Sequence, residues 1–155
     1  MLDKQWQEFY PEFSPIENWG DAEKMDYRLV WMLHRARKSL GRKFFINRGV
    51  DSEGSNVHKS GLAVDFRVEG IKDIMIEKSC LINAYGTTGK VYRLSKANDP
   101  AIFDLVNFLG SCRLGFYPFW EYNGNIWGGF HADVDFPLLN WWRDESGKYH
   151  YNFRV

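Results

Sequence analysis

The sequence predicts an α+β fold in a single domain, an antiparallel sheet with flanking helices. Three observations carry this. Apolar residues recur at helical spacing over about 21–40, several short segments alternate apolar and polar residues, and Asn123-Gly124 separates two such segments as a hairpin turn. The order is helix, strand, loop, strand, helix, then a run of strands. That segregation points to α+β rather than to βαβ units around a parallel sheet.

In chain order, residues 1–20 carry Pro11, Pro15 and Gly20 among aromatics and read as an irregular arm with a short helix near Gln5. Asp21 is the expected N-cap of the first long helix. Leu29, Met32, Leu33, Ala36 and Leu40 form its apolar stripe, and Gly41 ends it. Lys43–Asn47 is a short strand and 48–62 a glycine-rich loop. From Leu62 to Val68 the chain alternates, with Leu62, Val64, Phe66 and Val68 on one face and Ala63, Asp65 and Arg67 on the other. Ile71–Glu77 fits either a strand or one or two helical turns. Residues 83–98 read as a loop with a brief strand near Val91. Asp99-Pro100 opens a second helix to about Leu109, with Asp as cap and Pro at the first position. Phe116–Tyr122 and Asn125–Val134 form the hairpin, and a second hairpin turns at Ser146-Gly147.

At 155 residues the chain can bury a core without covalent staples. Twenty basic residues balance twenty acidic ones, which argues against nucleic-acid binding and against charge-driven membrane anchoring. No run approaches the ~18 apolar residues of a transmembrane helix. No signal peptide is visible at Met1–Tyr10, so the protein is expected in the cytoplasm at synthesis, and a monomer is expected. Cys80 and Cys112 lack C-x-x-C spacing. They read as two buried free thiols, with a disulfide between them as the alternative.

The residues that invite chemistry are His58, Asp65 and His131. A carboxylate in the middle of the apolar strand 62–68 is costly unless it is paired or metal-bound. In Phe130–Asp135, His131, Asp133 and Asp135 share one strand face, opposite Phe130, Ala132 and Val134. Such a face suits metal binding or acid/base chemistry. Two imidazoles and a carboxylate are suitable zinc ligands, and a catalytic zinc keeps its fourth position for water.

Residues 55–66, Ser-Asn-Val-His-Lys-Ser-Gly-Leu-Ala-Val-Asp-Phe, resemble the Ser-x-His-x-x-Gly-x-Ala-x-Asp motif of the M15 peptidases, the D-alanyl-D-alanine carboxypeptidase and L-alanyl-D-glutamate endopeptidase families with a hedgehog-like fold. His58, Gly61, Ala63 and Asp65 match that motif, and Asn56 stands where the family has its first Ser. Gly-Phe-Tyr-Pro at 115–118 and Gly-Phe-His-Ala-Asp-Val at 129–134 are similar to a branch common in phage and bacterial wall hydrolases, as is the closing stretch 141–149. The likeness covers about residues 13–150.

The resemblance implies a zinc metallopeptidase of the endolysin type. His58, Asp65 and His131 would hold Zn²⁺, and the substrate would be a peptidoglycan stem or cross-link peptide. It would be cut as an endopeptidase or a D,D-carboxypeptidase. A phage enzyme would reach the wall after release from the cytoplasm. Arg48 corresponds to an arginine that faces the substrate, to stabilise an oxyanion or bind a carboxylate. Bound zinc would polarise the scissile carbonyl and lower the pKa of its water to about 7. The general base is the weak point of the match. Many members carry an acid three residues before the last histidine, where this chain has Gly128. Asp133 is the first choice for the base, or else the residue that orients His131. Glu121 is the second choice. The alternative function is a non-catalytic, zinc-stabilised binding module on the same fold. His34, on the helix, reads as a surface or boundary residue, and His150, in the tail, as structural.

Overall fold

The computed structural model describes residues 1–82, 88–137 and 139–154. Among them, nine strands form two sheets. Strands β1 (Phe44–Arg48), β2 (Ala63–Val68), β5 (Arg113–Tyr122), β6 (Asn125–Asp133), β7 (Trp141–Arg143) and β8 (Tyr149–His150) make a six-stranded sheet ordered β1-β2-β6-β5-β7-β8. Its pairs are antiparallel except β5–β7. Strands β3 (Ile76–Ile82), β4 (Thr88–Leu94) and β9 (Phe153–Arg154) make a smaller sheet, in which β4–β9 is parallel. Helices α1 (Asp3–Gln7), α2 (Tyr27–Leu40), α3 (Asn56–Lys59) and α4 (Pro100–Phe108) complete the α+β architecture. No helix among the described residues is long and apolar enough to cross a membrane.

The alternation of β2 and β6 divides the large sheet into two unlike faces. Val64, Phe66, Phe130, Ala132, Leu114 and Phe116 point to one side and are buried against the core that includes Leu29 and Leu33 of α2 and Leu105 of α4. Register sets Ile46, Phe66, Phe130 and Phe116 in one row, and the Phe66–Phe130 rings stack at 5.6 Å between centroids. The other face carries Asp65, Arg67, His131, Asp133 and Tyr117. One sheet thus separates a hydrophobic support from a polar working surface.

Several elements differ from the sequence reading. Asp21 does not cap α2. It pairs with Lys24 on a 3-10 turn (Ala22–Lys24), and the cap is Asp26, whose side chain accepts from the Arg28 and Leu29 backbone N–H groups. Both aspartates precede the apolar stripe, and only the chain path decides which one meets the free N–H groups of the first turn. The N-terminal arm carries the short helix expected near Gln5, and its Trp6, Phe9, Phe13 and Trp19 are all buried in the core. Of the stretch read as a loop with a brief strand, residues 83–87 lie outside the described residues, and the strand near Val91 is longer than expected, since β4 spans Thr88–Leu94 and pairs along its length with β3. Exposed Lys90 and Arg93 dilute its apolar alternation, so the signal emerges only through pairing. Residues 71–75 are neither strand nor helix, and β3 starts at Ile76. The second helix, the end of α2 at Gly41 (φ 61°) and both hairpins lie where the sequence places them. Cys112 is a buried free thiol pushed up to about 12 by burial and by the charge of Asp133. The side chain of Cys80, and with it any Cys80–Cys112 pairing, lies outside the described residues.

Candidate metal centre

His58 sits on the single turn of α3, where the sequence suggested plain loop. Its Nδ1 lies 2.7 Å from the Gly49 carbonyl, which requires a proton on that nitrogen. Gly49 is itself held by the N-terminal arm, through its N–H to Asn18 O at 3.2 Å and the Val50 N–H to Trp19 O at 2.7 Å. The buried aromatic arm therefore sets the height of the carbonyl that aims His58. After α3 the chain turns at Gly61 (φ 71°), where a side chain would collide with the Lys24 carbonyl. The Gly61 carbonyl accepts from Asp26 N–H at 2.9 Å, docking the turn against the start of α2. Only glycine supplies both the positive φ and that close approach.

From this turn β2 carries Asp65 to the middle of the polar face, directly opposite His131 of β6. His131 Nδ1 donates to Asp65 Oδ1 at 2.7 Å, and His58 Nε2 approaches Asp65 Oδ2 at 3.4 Å. All three residues are buried, at 2%, 2% and 5% exposure for His58, Asp65 and His131. Burial would raise the Asp65 carboxyl, but the hydrogen bond from His131 and the charge beside it outweigh burial and hold the acid well below the usual carboxylate range. His131 is pushed the other way. Burial disfavours its charge, and carboxylates at both ring nitrogens more than compensate.

The group fits a divalent cation. Its three ligand atoms lie within 4.8 Å of one another. Ligands at ~2.0–2.1 Å from a tetrahedral zinc sit about 3.4 Å apart, which is the separation of His58 Nε2 from Asp65 Oδ2. His58 Nε2 is buried with no hydrogen-bond partner among the described residues. With Nδ1 protonated, that nitrogen directs a lone pair at a carboxylate, an arrangement that a cation between them relieves.

The remaining sequence candidates fall at different places. Arg48 lies against Asp65, with Nε at 2.9 Å and Nη2 at 2.6 Å from Oδ2, and its Nη1 is 3.4 Å from Asp51. Asp133 is fully buried on the far edge of the His131 ring. Its Oδ2 accepts from Nε2 at 2.8 Å and from Arg113 Nε at 2.8 Å. It therefore lies at the edge of the His131 ring opposite the one that meets Asp65. Glu121 is exposed and pairs with Ile126, which is about 17 Å along β6 from His131, beyond proton-transfer reach. A side chain at Gly128 would meet Ile74, whose side chain would have to shift to admit it.

Two irregularities bring these residues into register. Pairing of β1 with β2 shifts between Ile46 and Arg48, which sets Arg48 opposite Asp65. Pairing of β5 with β6 shifts between Tyr117 and Trp120, which sets Arg113 opposite Asp133 and Gly115 opposite His131. Bulges re-aim side chains in this way beside functional sites. Sequence reasoning missed Arg113 and also Tyr117, whose hydroxyl is 3.5 Å from Asp65 Oδ1 and is kept protonated by burial and by the Asp65 charge. The turn residues Asn123-Gly124 alone imply an unbroken register, so nothing in the sequence signals the shift. His34 (3.2 Å from Glu12) and His150 (2.7 Å from Asp144, stacked on Trp142) lie away from the centre, as expected.

The fold and this group together define a protein with a buried His-Asp-His centre fit for a divalent metal, open to solvent through two neighbouring cavities of ≈ 740 and ≈ 600 Å³. No family model, curated protein or solved structure matches the chain.

Proposed function

We propose that this protein is a zinc-dependent hydrolase of peptide bonds in peptidoglycan stem or cross-link peptides, a wall-lytic peptidase of the M15 type with its hedgehog-like arrangement. The observation that carries the reading is the Nε2 of buried His58, which has no hydrogen-bond partner among the described residues and is aimed at a carboxylate that His131 also contacts. The spacing of His58, Gly61, Ala63 and Asp65 gives it the family context.

Zinc at this centre would polarise the scissile carbonyl and activate a water. The chain's own residues have separate tasks. The Gly49 carbonyl fixes the tautomer of His58. Asp133, backed by Arg113, orients His131 and raises its basicity as a ligand, which is a positioning role rather than that of a base. Of the five N–H donors of Arg48, which lines both cavities, Asp65 takes two and Asp51 one, so among the described residues two are left for a substrate oxygen. The protonated Tyr117 hydroxyl adds a neutral donor beside Asp65.

The test is metal content together with hydrolysis. Protein purified without added zinc is expected to carry about one zinc per chain. It is expected to release peptides from purified sacculi, and to stop when a chelator is added. Metal-free protein that takes up no zinc would sink the proposal.

One observation favours the second reading, a zinc-stabilised module that binds wall peptides without cutting them. Of the two acids named from the sequence for proton transfer, Asp133 is tied to His131 and Arg113, and Glu121 pairs with Ile126, about 17 Å along β6 from His131. That reading expects stoichiometric zinc, a lower melting temperature without it, and intact sacculi.

A further inference from the structure

We propose that Arg143 reads a carboxylate on the peptide that occupies the larger cavity, so that ligands carrying a free carboxylate there are preferred over their amidated twins; this rests on the wall-peptide reading above. Arg143 lines that ≈ 740 Å³ cavity together with Arg48, Asp65 and Tyr117. The other two arginines of the cleft are tied to acids, Arg48 to Asp65 at 2.6 Å and Arg113 to Asp133 at 2.8 Å. Arg143 has no carboxylate partner among the described residues. Its one hydrogen bond there runs from Nε to the Gly147 carbonyl at 3.2 Å.

The turn after β7 keeps this guanidinium unpaired and still holds it in place. Asp144, the next residue, is the nearest candidate partner in the chain, but its carboxylate is already used. Oδ2 lies 2.7 Å from His150 Nε2, and Oδ1 accepts from the Ser146 hydroxyl at 2.6 Å and the Lys148 N–H at 2.9 Å. Gly147 (φ 87°) brings its carbonyl to Nε, and a side chain at that position would come within 3.1 Å of Arg143 Nη2. The Tyr149 ring lies beside the fork, with its centroid 5.6 Å from Cζ. The N–H donors of both Nη atoms are therefore left without a partner among the described residues, on a side chain that is open to solvent. A planar fork fixed at Nε suits a carboxylate, and fixing it beforehand lowers the ordering cost of binding. Its place is next to the metal group. The charges of Arg143 and Arg48 both act on the Tyr117 phenol, whose hydroxyl is 3.5 Å from Asp65 Oδ1. Exposed Glu121 and Glu145 line the same cavity and repel further negative charge, so the site suits one carboxylate rather than a polyanion.

The experiment measures binding by calorimetry, with the whole zinc-loaded protein and stem peptides whose backbone amides are reduced so that they are not cut. Each peptide is made in matched forms, with its side-group carboxylate, its C-terminal carboxylate, both or neither converted to the amide. The expected result is that one carboxylate gives about tenfold tighter binding or more, the scale of a charge-assisted hydrogen bond. In Arg143→Gln that preference should fall to about one. Arg143→Lys, which keeps the charge without the fork, should lie between the two. Preference for the side-group carboxylate assigns Arg143 to an acidic residue of the stem, and preference for the terminal one assigns it to the chain end. Equal binding of all forms by the unaltered protein overturns the inference. So does a preference that persists in Arg143→Gln, because Arg48 would then be its source. The readout needs no turnover, so a protein that shows the preference and cuts no unmodified peptide sinks the hydrolase reading alone.

Discussion

The four histidines divide into two environments. His34 and His150 each meet one carboxylate, Glu12 at 3.2 Å and Asp144 at 2.7 Å, at part-exposed positions. One acid and one base satisfy each other, and nothing is left over. At the centre a single carboxylate, Asp65, meets two imidazoles and a guanidinium, while one imidazole nitrogen has no hydrogen-bond partner among the described residues. A His–carboxylate contact alone is thus common in this molecule. The distinguishing features are burial, sharing of one acid, and an unspent lone pair, which together leave a place for a cation.

That contrast can be broken most sharply by removing ligands. His58→Ala or His131→Ala is expected to abolish zinc uptake, with a loss well beyond the ~10–100-fold typical of residues behind a ligand. His34→Ala and His150→Ala should retain full zinc, measured on purified protein by elemental analysis. Equal zinc in all four variants would dissolve the distinction. Next in size is Asp133→Ala. If Asp133 positions His131, zinc affinity should fall about 10–100-fold in a chelator competition. Unchanged affinity with lost turnover would instead return Asp133 to the role of base.

A smaller effect is thermal. Zinc at about 100 times its Kd adds ~2.7 kcal/mol of stability, a rise of roughly 5–11 °C in Tm for a chain of this size. Calorimetry with and without chelator measures it, and the rise should vanish in His58→Ala. Smallest is the effect of His34→Ala on stability, about 1 kcal/mol or less, because its ion pair is partly solvated. Denaturant titration reads it, and a much larger loss would mean that His34 belongs to the core rather than to a surface pair.

Much of this was legible in the sequence because it depends on near neighbours. Period-two alternation in 62–68 and 129–134 separates Asp65 and His131 from Phe66 and Phe130, since successive side chains in a strand leave opposite faces. Asn123-Gly124 imposes a tight turn, and Gly41 ends a helix, through backbone conformations that few other residues adopt. Those local rules suffice for most of the α+β elements and for two of the three ligands, Asp65 and His131, on compatible faces.

Other features depended on residues far apart in the chain. The two register shifts that set Arg48 opposite Asp65 and Arg113 opposite Asp133 arise from pairing with a partner strand. The choice of Asp26 over Asp21 as helix cap, and the fixing of Gly49 by the aromatic arm, came from docking against Gly61 and Trp19. So did the position of Asp133 at the far edge of the His131 ring and the two cavities at the centre. Local sequence specifies backbone preference and side-chain direction. Register, burial and the shape of empty space emerge only when distant segments share one core, because each is a property of the contact and not of either strand.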